Sequence, residues 1–306
     1  MADDWVDRSR RSLIARAEGG AWGYRRGSPA AVEATTLAAL GLLATAGGDA
    51  DGSRRLVARS AVVLAGLQRP DGSLGVTAAL PAPGWATPYA LLLWQALGAD
   101  AGPRRRAADW LLAERVDTPP RSADPDRLAG HDTTIPGWPW VEGTHSWVEP
   151  TSLALLSLGR EGRGGHRRLV DGGRLLVDRA IPSGGWNYGN PAVFGRDLRP
   201  HPGPTGLALL AMAVAGGDPG VVARASAYLR AALPGLRAAG SLAWGLLGLA
   251  AWGGSPAGSR GWLAESADAA LALDDAAPRL GLLLLASAAP DALALLGLTP
   301  HASPPR

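Results

Sequence analysis

Thr35-Thr36-Leu37-Ala38-Ala39-Leu40 opens a phrase that returns as Thr87-Pro88-Tyr89-Ala90-Leu91-Leu92, as Thr151-Ser152-Leu153-Ala154-Leu155-Leu156 and as Thr205-Gly206-Leu207-Ala208-Leu209-Leu210. Weaker copies follow at Leu242-Ala243-Trp244-Gly245-Leu246-Leu247 and Leu280-Gly281-Leu282-Leu283-Leu284-Leu285. Each copy starts a stretch that is apolar nearly all round, as a helix enclosed by other helices must be. Before each stands an amphipathic, arginine-bearing stretch, at residues 8–17, 54–68, 104–115, 166–179, 221–233 and 260–271. Six outer helices alternating with six buried ones predict a closed double ring. The expected fold is therefore all-α, an (α/α)6 toroid, with residues 1–306 forming a single domain.

Composition agrees. Leucine and alanine abound while isoleucine and phenylalanine are scarce, which favours helix over strand. Apolar residues make up 47% and charged residues 19%, enough to bury a large core. All 30 basic residues are arginine and no cysteine is present. Lysine-dependent chemistry is thereby excluded, as are thiolate nucleophiles and cysteine-bound zinc. The isoelectric point is near 9.9, but the net charge is only +3 and the arginines are dispersed, so no nucleic-acid partner is expected. The N-terminal residues lack the apolar run of a secretion signal, and a cytoplasmic location is expected. The most apolar stretch, residues 280–298, is cut by Pro290 and Asp291 and falls short of a bilayer span, leaving peripheral membrane contact open.

The four repeated threonines are 52, 64 and 54 residues apart, so the third unit is the longest. Its extra length lies in residues 117–146, rich in Pro, Gly and Asp, and predicts a long loop capping one end of the ring.

Glycine-aromatic turns join outer to inner stretches: Gly19-Gly20-Ala21-Trp22-Gly23-Tyr24, Gln68-Arg69-Pro70-Asp71-Gly72-Ser73-Leu74-Gly75, Gly137-Trp138-Pro139-Trp140 and Ser183-Gly184-Gly185-Trp186-Asn187-Tyr188. With the Thr-x-x-Ala-Leu helix starts, these resemble the prenyltransferase/squalene-cyclase repeat over essentially the whole chain. Residues 68–74 are similar to that family's QW motif, with Leu74 where tryptophan is usual. The resemblance implies an α/α toroid that handles an apolar isoprenoid-type molecule. Two branches with similar toroids, protein prenyltransferases and lanthionine cyclases, need zinc-bound cysteine, which this chain lacks. Squalene-hopene and other class II terpene cyclases protonate an alkene with the middle aspartate of an Asp-x-Asp-Asp-Thr motif. Aligned on the threonine, this chain has Trp147-Val148-Glu149-Pro150-Thr151. Glu149 stands in the proton donor's place, and the flanking aspartates are absent.

Asp132 is a second candidate acid, with His131 or His145 as a hydrogen-bond partner. Glu149 also has a structural reading, because Ser146-Trp147-Val148-Glu149 spells a capping box and Pro150 suits a first helical turn. Both readings stand at this point. Glu33 repeats the Val-Glu-x-Thr phrase in the first unit and would bring a second carboxylate to the same end of the ring. Trp85, Trp138, Trp140, Trp147, Tyr188 and His145 are expected around an aromatic mouth, whereas Trp22 and Trp186 read as wedges between repeats. No metal or cofactor is expected.

Three functions remain open. The first is a protonation-initiated terpene cyclase or isomerase using Glu149 or Asp132. The second is a non-catalytic scaffold that binds a polyprenyl lipid or a protein partner. The third is an (α/α)6 glycosidase, in which Glu142, Glu149 and Asp132 would supply paired carboxylates.

Overall fold

The computed structural model describes residues 4–47, 50–120 and 130–301. Part of the predicted loop, residues 121–129, lies outside them. Among the described residues, outer helices α1 (Asp4–Arg16), α3 (Ala50–Leu67), α5 (Ala101–Ala113), α7 (Arg167–Asp178), α9 (Pro219–Ala232) and α11 (Ser259–Leu271) alternate with inner ones. The inner helices are α2 (Val32–Ala44), α4 (Thr87–Ala96), α6 (Val148–Gly159), α8 (Pro202–Ala215), α10 (Ala239–Ala251) and α12 (Ala276–Ser287). Each inner helix packs on the next, and α12 returns onto α2. The ring is closed: the protein is an all-α toroid, as its repeats predict.

The two helix classes differ as their compositions require. Inner helices are buried on nearly every side, whereas α5 and α7 bury only one stripe and carry arginines outside. Glycines set the closest inner contacts. A Cβ on Gly41 would lie 2.2 Å from the Gly281 carbonyl oxygen, and one on Gly206 would lie 2.1 Å from that of Trp244. The backbones of α2 and α12, and of α8 and α10, therefore touch directly.

The repeated threonine has a structural task. The Oγ1 atoms of Thr35, Thr87, Thr151 and Thr205 accept from the backbone N–H groups of Trp22, Leu74, Trp138 and Trp186 at 2.9–3.1 Å. Each bond ties the incoming turn to the first turns of an inner helix. The indoles of Trp22, Trp138 and Trp186 then donate to Leu13, Leu111 and Leu176 of the preceding outer helix at 2.7–2.8 Å. Trp138 is thus a wedge like Trp22 and Trp186, only 1% exposed. This corrects its expected place in the aromatic mouth.

The two ends of the ring differ. A short helix α13 (Ala289–Leu295) packs on α2, α10 and α12, and His301 N–H bonds the carbonyl of Ala251 at the end of α10. This is the C-terminal end of the inner helices, and it is plugged. Among the described residues no single helix is long and apolar enough to cross a membrane, and the α12–α13 pair passes only together, bent by 106°. Ring packing accounts for the apolar character of this stretch, since α12 is a buried inner helix.

Candidate functional site

The opposite end is built from the inner-helix N-termini. None of the residues preceding these six helices (Ala31, Ala86, Trp147, His201, Ala238, Asp275) supplies a side-chain cap. Bare helix N-termini carry partial positive charge, so carboxylates are favoured there. Glu33 and Glu149 occupy matching positions, each in the first turn and two residues before its threonine. On α4 the matching residue is Trp85.

Glu33 is fixed by two tyrosines. Its Oε2 accepts from Tyr24 Oη at 2.6 Å and its Oε1 from Tyr89 Oη at 3.2 Å. Burial and the Glu33 charge push both phenols well above their usual range, so they remain donors. Glu149 makes no hydrogen bond among the described residues. Burial first, then the Glu33 charge, raise its carboxyl to about 7. The Glu33 charge thus acts on Glu149, which takes up its proton as the pH falls through about 7.

The capping box is not formed. Helix α6 begins at Val148, with Trp147 as its N-cap residue. The Ser146 hydroxyl accepts instead from Gly137 N–H at 2.8 Å.

Aromatic rings gather near Glu33. Trp85 meets Tyr89 edge-on at 6.3 Å and Trp140 at 5.3 Å, which brings the long loop of the third unit against the start of α4. A cavity of about 360 Å3 opens on the other side of Glu33, walled by Tyr24, Arg25, Glu33, Leu37, Trp244, Asp275, Arg279 and Leu282 and by neither Trp85 nor Trp140. It is near the lower end of the usual ligand-site range of about 300–1,000 Å3. Its carboxylates are Glu33 and Asp275, and Glu149 does not line it.

The remaining candidates separate from this cavity. Trp147 packs on His145 at 4.7 Å, and Tyr188, 51% exposed, lies 5.2 Å from His201 at the start of α8. Asp132 accepts from Thr134 N–H and Oγ1 at 2.9 and 2.7 Å, and its own N–H bonds Asp178 at the end of α7. The charge acting on Glu149 is that of Glu33, not Asp132. His131 is held neutral, pushed down to about 4 by burial and by Arg179. Tyr24 and Tyr89, which fix Glu33, were not anticipated, although they are half of the four tyrosines in the chain.

No family model and no curated protein matches the chain by sequence. Solved structures do. A crystal structure of an Actinoplanes protein matches with a TM-score of 0.59 at 20% identity, covering 88% of this chain and 79% of that one. A variant of the type II terpene cyclase MstE from Scytonema, in complex with its substrate geranylgeranyl dihydroxybenzoate, matches at 0.55 and 16% identity over 92% and 79%. The toroid fold is one shared with type II terpene cyclases. The ent-copalyl diphosphate synthase from Streptomyces platensis also matches, at 0.51 and 21% identity, over 87% of this chain and 50% of that enzyme. At such identities the likeness concerns the fold, while chemistry must be argued from side chains.

Proposed function

We propose that this one-domain toroid acts on an isoprenoid olefin by proton transfer, as a cyclase or isomerase, with the Glu33–Glu149 pair as its acid. One observation carries the reading: a carboxyl without a hydrogen-bond partner, raised to about 7, beside a second carboxylate at the open, aromatic end of the ring. Glu149 holds the proton, and Glu33, clamped by Tyr24 and Tyr89, presents the charge at the cavity wall. Transfer of that proton to one alkene carbon leaves a carbocation on the other and a second carboxylate in the pair. Both negative charges then attract the cation. Ring closure or shift of the double bond follows, and loss of a proton restores a neutral olefin. Tyr24, Glu33 and Trp244 line the place of the reacting end.

The size of the cavity restricts the substrate. Glycine contacts close the ring between α2 and α12 and between α8 and α10, so about 360 Å3 admits the reacting end of a chain rather than an engulfed triterpene. The same tight packing supports a second reading, a toroid that holds a prenyl chain without changing it.

The test incubates the protein and its Glu149→Gln variant with squalene and with C15 and C20 prenyl diphosphates, and analyses the extracts for new hydrocarbons or alcohols. A product lost in the variant, with helicity retained, supports the acid pair. Chain binding without turnover in either protein favours the holding role.

A further inference from the structure

A second cavity adjoins the first. It has a volume of about 310 Å3 and is walled by Arg16, Arg25, Arg26, Ser28 and Ala277 together with Glu18 and Asp274. Arg25 belongs to both walls, so the two cavities share a partition. Arg16 is held in place, its Nε donating to Ser12 at 3.1 Å and its two terminal nitrogens to the carbonyls of Asp274 and Leu273 at 3.2 Å each. Arg25 and Arg26 differ. Among the described residues neither guanidinium makes a hydrogen bond or ion pair, and both are exposed on a turn closed by Ser28, whose Oγ accepts from Arg25 N–H and donates to its carbonyl. The charge of Arg26 adds to burial in lowering the pKa of Arg16, while Asp274 acts the other way, and the charge of Arg25 acts on Asp275. Two carboxylates against three guanidiniums leave the wall net positive. Ala277 contributes the first turn of α12, a 12-residue helix whose N-terminus has no side-chain cap. Uncapped N–H groups and forked guanidiniums are complementary to phosphate oxygens.

The geometry points to an anion subsite in which Arg16, Arg25, Arg26 and the start of α12 bind a phosphate or diphosphate group. Its place beside the first cavity makes that group the head of the chain whose olefin lies near Glu33. This last step rests on the isoprenoid reading, whereas the anion site itself does not. Arg25 would turn its guanidinium to the head group while its aliphatic stem separates head from tail.

Calorimetric titration of the full chain tests it, with inorganic pyrophosphate, geranylgeranyl diphosphate and geranylgeraniol as probes. The double variant Arg25→Gln/Arg26→Gln is compared with Arg54→Gln/Arg55→Gln, which removes the same charge from the exposed face of α3. The expected result is pyrophosphate binding that weakens with salt and falls about tenfold or more in the first variant only. The diphosphate should lose affinity likewise, and the alcohol should not. Equal pyrophosphate affinity in the two variants, or no binding by the wild type, would overturn the subsite. Arginine-dependent pyrophosphate binding with no added affinity from the prenyl chain would keep the subsite and sink the isoprenoid reading.

Discussion

Replacing Glu149 by glutamine should stabilise the protein at alkaline pH while abolishing its chemistry. The carboxyl is raised from 4.5 to about 7 in the folded chain, a difference of about 3 kcal/mol between its two protonation states. The sign follows from linkage. Between pH 4.5 and 7 the folded state binds more protons than the unfolded one, so stability falls as pH rises through that window and stays low above it. Below pH 4.5 the group is protonated in both states and costs nothing. Glutamine removes the titration but keeps the shape. Urea unfolding at pH 4.5 should therefore give nearly equal stabilities, and at pH 8 the variant should be more stable by about 2–3 kcal/mol. The difference between the proteins isolates Glu149 from Glu114, a buried carboxyl pushed up to about 8 that titrates in both. If Glu149 served instead to complement the bare start of α6, losing its charge would cost about 0.3–1 kcal/mol at pH 8. A less stable variant at pH 8 would refute the account of the acid pair given above.

The rate of proton transfer should decline as pH rises through about 7, because Glu149 must be protonated. In Glu33→Gln that inflection should move to lower pH, since the like charge that helps raise Glu149 is gone; a pH–rate profile reads both. Thr205→Val removes the hydroxyl that accepts from Trp186 N–H and donates to its carbonyl at 3.1 Å, and denaturant unfolding should show a loss of about 1–3 kcal/mol. Gly41→Ala places a methyl 2.2 Å from the Gly281 carbonyl oxygen, and a loss exceeding the usual overpacking cost of about 1–3 kcal/mol is expected in the same assay.

The ring was legible because burial imposes itself on composition: a helix enclosed by neighbours must be Leu, Ala and Gly throughout, and a shielding helix must carry charge on one side. The site was only partly legible. Glu33 and Glu149 share a phrase, and the phrase put them at one end of the ring. The tyrosines that fix Glu33 come from a turn and from α4, and no local pattern announces a contact made between units. Trp138 was misplaced although a signal existed. Trp22, Leu74 and Trp138 each precede their threonine by 13 residues, and Trp186 precedes Thr205 by 19, the six extra being spanned by a hairpin at residues 192–197. A constant offset of that kind marks a structural bond, not a pocket. The capping box failed because its serine had a better-placed donor in Gly137 N–H, and the helix began one residue later.

The backbone contact of Gly41 with Gly281 also bears on how the chain reaches its folded state. These residues are about 240 positions apart, against about 40 for Gly206 and Gly248, and closing the longer loop costs about 1.5 kcal/mol more in chain entropy. Neighbouring units can zip together as soon as each is made, but the seam between α2 and α12 cannot. Until it shuts, the apolar edges of both helices face water, and a second unclosed chain offers the same surfaces. Exchange of α12 between two molecules would satisfy both seams at once, so concentrated refolding should yield swapped dimers with the same inner-helix contacts.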